Sequence, residues 1–203
     1  MIKFFPKLFL LLVFLQGQIC LAQTVDVVTE LGTFEVTLDS RKAPVTVKNF
    51  MRYVDLGYMK NTSFYRTVTL KPDNQPQNKV KIEVIQGGWK RFDDPRPFPD
   101  IRLETTRETG LIHEDGTISM ARDKPHSAST EFFICVGAQP ELDYGGKRNP
   151  DGQGFAAFGK VTRGMEVVRA IHRARSSEQT LKPRIQILDI RRHRDLWFTD
   201  SRP

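Results

Sequence analysis

Few residues of this 203-residue chain have types and spacings suited to chemistry, and those few point away from covalent catalysis. The histidines His113, His126, His172 and His193 are scattered without metal-ligand spacing, so no metal site is expected. Serine-hydrolase and zinc-protease signatures are missing, as is a phosphate-binding glycine loop. Cys135 sits inside an apolar run with no histidine near it in sequence, and reads as a small buried hydrophobe. What is left is Arg66, closing Phe64-Tyr65-Arg66, and Gln86, opening Gln86-Gly87-Gly88. Arginine is always charged and its fork is rigid, so a fixed one can stabilise a developing lone pair by hydrogen bonding alone. Taken singly, Arg66 reads as a surface residue at a strand end and Gln86-Gly87-Gly88 as a plain turn.

The elements that would position these residues follow from periodicity. Residues 25–29 and 33–38 alternate polar and apolar about Leu31-Gly32-Thr33, a β-hairpin pattern. Pro44 opens a helix in which Val45, Val47, Phe50, Met51, Val54 and Leu56 recur at near-helical spacing, and Gly57 closes it. Strands are expected over 63–68, 80–86, 117–121, 132–136, 155–161 and 184–190, with a second helix over 164–172. Residues 69–81 read as a polar loop, and 89–115, carrying Pro95, Pro97 and Pro99, as a long irregular segment. Phe132 and Phe133 must face opposite sides of their strand, so one can be core while the other faces a site. About eight strands with two helices predict a mainly β domain, a closed antiparallel barrel.

Five separated pieces carry a resemblance. They are Phe64-Tyr65-Arg66, Gln86-Gly87-Gly88, the run from Gly116 to Ala121, Thr130-Glu131-Phe132-Phe133-Ile134 and the run from Phe155 to Val161. In this order they resemble the cyclophilin family of peptidyl-prolyl cis/trans isomerases, over roughly residues 24–192. The resemblance implies an eight-stranded cyclophilin-like barrel with its two helices capping the ends. It implies that Arg66 and Gln86 are catalytic, with Gln86 orienting the arginine and the substrate carbonyl. It also implies a substrate pocket of Tyr65, Met120, Ala121, Glu131, Phe133, Leu142 and Phe155, with Phe133 as floor and the backbone of Arg122 along the substrate chain. No cofactor is implied. The partners implied are proline-containing segments of unfolded or newly exported polypeptides.

Four departures from the family pattern matter. Tyr65 stands where many members carry His, and Glu131 where Gln is usual. Glu131 is expected to pair with Arg66 and fix its orientation. Glu141 stands where some members carry a Trp important for cyclosporin binding, so weak cyclosporin inhibition is expected. The 69–81 loop lengthens the path from Arg66 to Gln86 and leaves the place of Val84 open.

The N-terminus reads separately. Lys3 and Lys7 precede an apolar run over 8–15, and Cys20-Leu21-Ala22 has small residues where a signal peptidase reads. Residues 1–22 are therefore expected to be a cleaved signal peptide, leaving a single domain over 23–203. The run is shorter than the roughly 20 apolar residues that a membrane-spanning helix needs, so no stable membrane insertion is expected after cleavage. Cleavage removes Cys20 and leaves no intramolecular disulfide, which fits a periplasm better than a disulfide-dense extracellular module; a periplasmic or secreted location and a monomer are expected. The formal charge of +7 is concentrated towards the C-terminus, in 163–175 and Arg191-Arg192-His193-Arg194. These residues lack interleaved aromatics, so a solvated basic face is expected and no nucleic-acid partner. Two rival readings stay open at this point: a non-catalytic module that binds Pro-containing segments, and a scaffold acting through its basic tail.

Overall fold

The structure, a computed structural model, describes residues 23–89 and 97–194. The expected leader, residues 1–22, and Pro95 lie outside the described residues. The expected hairpin forms as β1 (Gln23–Thr29) and β2 (Gly32–Leu38), with Val25, Val27, Phe34, Val36 and Leu38 turned inward. The remaining strands are β3 (Thr62–Val68), β4 (Val84–Gly88), β5 (Thr117–Met120), β6 (Glu131–Cys135), β7 (Ala156–Arg163), β8 (Ser176–Ser177) and β9 (Thr180–Arg192). They are ordered β1-β2-β7-β5-β6-β4-β3-β9, and β9 pairs back onto β1. Every pairing is antiparallel, so eight strands close a barrel, and the two-residue β8 is a side arm of β9. Closure leaves no free edge within the ring.

Most strand ends differ from expectation by one or two residues, but two strand starts move by four. β4 begins at Val84 rather than 80 because Gln75 uses the backbone before it. The Gln75 carboxamide donates to Thr69 O and Ile82 O and accepts from Ile82 N, which ties 69–83 into its own loop. β9 begins at Thr180 rather than 184, because the exposed run Lys182, Pro183 and Arg184 hides its alternation.

Among the described residues there are three α-helices, not two. α1 (Pro44–Asp55) has proline in its first turn, and α3 is Met165–His172. Phe50 of α1 wedges against Phe132 and Phe158 at centroid distances of 5.7 and 5.2 Å, while Val168 and Ile171 of α3 join the same core. The additional helix, α2 (Thr106–Thr109), is a single turn too short to show a period. Thr105 caps it by accepting from Glu108 N, and Gly110 ends it in the left-handed conformation at φ 69°. The long 97–115 segment is thus partly structural. Its buried Glu104 accepts from Val45 N, Thr46 N and Thr46 Oγ1, and so satisfies the N-terminal donors of α1.

A second, smaller apolar cluster lies on the outer face of the barrel: Val68, Ile82, Val84, Phe133, Cys135 and Leu142, with Ala121 and Phe155 packed on it. Phe132 belongs to the interior core and Phe133 to this outer cluster, as the two-residue period requires. At the C-terminal end the basic residues are partly neutralised. Arg192 bonds Asp55, and His193 bonds Asp26 at 2.6 Å.

Candidate active site

Arg66 on β3, Gln86 on β4 and Phe133 on β6 form one transverse row, because Arg66 pairs with Gln86 and Gln86 with Phe133. A strict two-residue period would turn Arg66 to the same side as Phe64, which is fully buried in the barrel core. A β-bulge prevents this. The register of β3 shifts between Phe64 and Arg66 against both β4 and β9, which makes Tyr65 the extra residue of the bulge and re-aims Arg66 outward. The row needs close backbone packing. A Cβ on Gly87 would meet Ser63 O at 2.8 Å, and one on Gly88 would meet Thr130 O at 2.6 Å.

The row opens onto a cavity of about 630 Å³. Val84, Phe133, Leu142 and Phe155 give it an apolar wall, and Ala121, Arg122 and Glu131 line it further along. Phe133 is the floor. Phe155 meets it edge-on at 5.3 Å, and His113 stacks parallel to it at 5.9 Å. His113 is held between Asp143 Oδ1 at 2.7 Å and Ser119 Oγ at 3.0 Å. This Asp–His–Ser line is ordered like a hydrolase triad, but Ser119 is fully buried and does not line the cavity. It braces the floor rather than supplying a nucleophile.

Arg66 donates from Nη1 to Gln86 Oε1 at 2.7 Å. It donates from Nε and Nη2 to Gln179 Oε1 at 2.8 and 2.6 Å. A guanidinium has five N–H donors, so two are left for a ligand. Gln86 Nε2 donates to the Tyr65 hydroxyl at 2.7 Å and towards Glu131 Oε2 at 3.3 Å. Burial, then the Glu131 charge, hold the Tyr65 phenol well above its usual range, so it stays a neutral donor. Burial also lowers the Arg66 guanidinium, which starts so high that it remains charged.

Two expectations are corrected. Glu131 does not form an ion pair with Arg66; it opposes Gly88, and Gln86 and Tyr65 take its carboxylate instead. Met120 does not line the cavity. It pairs with Phe132 and Ala156 on the inner side of the barrel, whereas its neighbour Ser119 shares the outer row with Phe133. The Arg122 side chain is a staple for the loop before β7, bonded to Gly154 O and Asp151. Val84, whose place the sequence left open, lies in the wall.

The sequence model described as cyclophilin type peptidyl-prolyl cis-trans isomerase/CLD matches residues 24–192. The chain belongs to this isomerase family. It is 36% identical over 144 residues to peptidyl-prolyl cis-trans isomerase A of Dickeya dadantii, covering 70% of this chain and 67% of that protein. It is 34% identical over 149 residues to isomerase cyp18 of Streptomyces antibioticus, covering 73% and 82%. A crystal structure of a Cryptosporidium parvum cyclophilin-type isomerase, determined in the presence of the dipeptide Ala-Pro, shares the fold. It has a TM-score of 0.67 at 24% identity, covering 85% of this chain and all of that one.

Sequence reasoning missed three residues that this isomerase brings to its cavity region: Gln179, His113 and Arg148. Gln179 lies 113 residues from Arg66 and carries no motif. His113 was visible as a histidine, but its partners Asp143 and Ser119 come from other parts of the fold. Arg148 lies in a turn-rich loop, where arginine is ordinary.

Proposed function

We propose that Arg66 and Gln86 are the catalytic pair of this isomerase and that its substrates are X-Pro bonds of exported polypeptides. The barrier to rotation, about 18–20 kcal/mol, comes from amide resonance. Twisting the bond ends that resonance and localises a lone pair on the prolyl nitrogen. An enzyme accelerates exchange by binding this twisted state more tightly than either planar one. Here the proline ring packs on Phe133, against Leu142, Phe155 and Val84, all of which line the cavity. Arg66 uses its remaining N–H donors on the prolyl nitrogen, and Gln86 holds the guanidinium in register through its 2.7 Å bond. No nucleophile or proton transfer is required.

The observation that carries this reading is a rigidly held guanidinium, with two N–H groups to spare, beside an apolar floor. Uncatalysed exchange takes about 10–100 s and can limit folding, which gives such an enzyme a role for chains emerging from export. The export reading is supported by the basic, apolar and small-residue order of residues 1–22.

The test is isomerisation of a proline tetrapeptide by the 23–203 protein and by Arg66→Ala. Fast exchange in the first and its loss in the second is expected. A folded wild-type protein that binds the peptide without accelerating exchange would favour a binding module instead. For export, N-terminal sequencing of the protein recovered outside the cytoplasm should begin at Gln23. An N-terminus at Met1 would overturn the leader reading.

A further inference from the structure

Arg148 stands at one end of the cavity, opposite its acidic groups. β4 is the ruler. Arg148 Nη1 donates to Val80 O and to Gln75 Oε1, in the loop leading into β4. Glu131 pairs with Gly88 at the other end of the same strand. At about 3.3 Å per residue, Val84 and Gly88 alone are some 13 Å apart. Ile82, Val84, Gln86 and Arg66 line the wall between these ends.

The guanidinium of Arg148 is half-buried and only partly used. Both of its hydrogen bonds leave from Nη1, which orients the fork and leaves Nε and Nη2 without a partner among the described residues. No carboxylate among the described residues pairs with it or with Arg66. Arg122, by contrast, lines the same cavity but is neutralised by Asp151 at 2.7 Å. Neither guanidinium is ion-paired at close range, and the two share one partly desolvated space in which their like charges repel. Accordingly, burial and the Arg66 charge both lower the proton affinity of Arg148. An anion bound at Arg148 would offset this repulsion, and a forked donor suits a carboxylate in particular.

We propose that Arg148, presented by the 69–83 loop, forms an anion subsite that takes the side-chain carboxylate of an acidic residue flanking the proline. It makes this enzyme selective for acidic X-Pro neighbourhoods. The proposal rests on the cavity being the X-Pro site. It also gives the 69–83 loop a task, because Gln75 and Val80 are what aim the guanidinium.

The experiment is kcat/KM for tetrapeptides in which Glu, Gln or Lys occupies in turn each position flanking proline, with wild type, Arg148→Ala and Arg148→Gln. At one flanking position the wild-type Glu:Gln ratio is expected to be about tenfold, falling as salt rises. Either variant should bring that ratio to within about twofold of unity, whatever its absolute rate. Equal Glu and Gln rates at every position in wild type, or a ratio that survives in both variants, would overturn the subsite. Both outcomes presuppose turnover of the Gln peptides. Turnover of no peptide by folded wild type would instead overturn the reading of the cavity itself.

Discussion

Gln179 Oε1 accepts two hydrogen bonds from the Arg66 fork, from Nε at 2.8 Å and Nη2 at 2.6 Å. Gln179 is itself held, since its Nε2 donates to Asn74 O at 3.1 Å and its carbonyl accepts from Thr67 N at 2.9 Å. The guanidinium is therefore clamped on one side by Gln86 and on the other by a residue of the β8–β9 turn. Gln179→Ala keeps the main-chain bond to Thr67 but frees one side of the fork. The expected result is a kcat lower by about tenfold or more, since hydrogen bonds to charged groups contribute about 1.5–3 kcal/mol. KM should change little and the thermal midpoint should stay near wild type. An unchanged kcat in a folded variant would show that Gln86 alone positions Arg66.

Glu131 serves as an acceptor for Gln86 and Tyr65 rather than as an ion-pair partner of Arg66. Glu131→Gln retains an acceptor oxygen, so kcat/KM should stay within about threefold of wild type. Glu131→Leu takes this acceptor away from Gln86 and the buried Tyr65 hydroxyl, and a loss of about tenfold is expected. A large loss in Glu131→Gln equal to that in Glu131→Leu would show that the charge itself matters.

Tyr65 has a phenol whose ionisation is pushed upward by burial and by Glu131. A group whose folded pKa is raised stays protonated where the unfolded chain ionises. Its contribution to stability is thus full below about pH 10 and declines as pH rises beyond it. For activity the expectation is a kcat/KM profile without a tyrosine step between pH 8 and 10. A fall near pH 10 that disappears in Tyr65→Phe would contradict this.

Cys135 is fully buried on β6, and burial together with the carboxylates of Asp143 and Asp115 raises its thiol pKa. The thiolate is the reactive form, so the native 23–203 protein should resist iodoacetamide at pH 8 and react once denatured. Rapid mass increase in the native state would mean that the outer cluster opens readily.

Glu141 is the middle residue of the short 3-10 turn Pro140–Leu142, and its carboxylate accepts from Lys147 N at 2.8 Å. It does not line the cavity. Cyclosporin inhibition should therefore be weak, and Glu141→Trp should strengthen it. A nanomolar inhibition constant for the unaltered protein would contradict this.

Much of the barrel was legible because alternation and helical spacing are local signals. The hairpin of β1 and β2, the Pro44 start of α1 and the opposed faces of Phe132 and Phe133 all follow from neighbours in sequence. The four-residue α2 and the early start of β9 escaped because one is a single turn, too short to repeat the helical spacing, and the other is masked by three exposed residues. Met120 was drawn to the cavity by its motif, yet the pairing of β5 with β6 and β7 turned it inward.

The class of fold and the family are legible in the chain alone, through strand patterns and five ordered motifs that need no coordinates to read. Which way Arg66 points and what holds it follow from the folded arrangement. The bulge at Tyr65 is a register relation among three strands, and Gln179 and Arg148 reach the cavity region from loops remote in sequence. Hydrogen bonds and charges act over a few ångströms of space, so their partners are chosen by barrel closure rather than by distance along the chain.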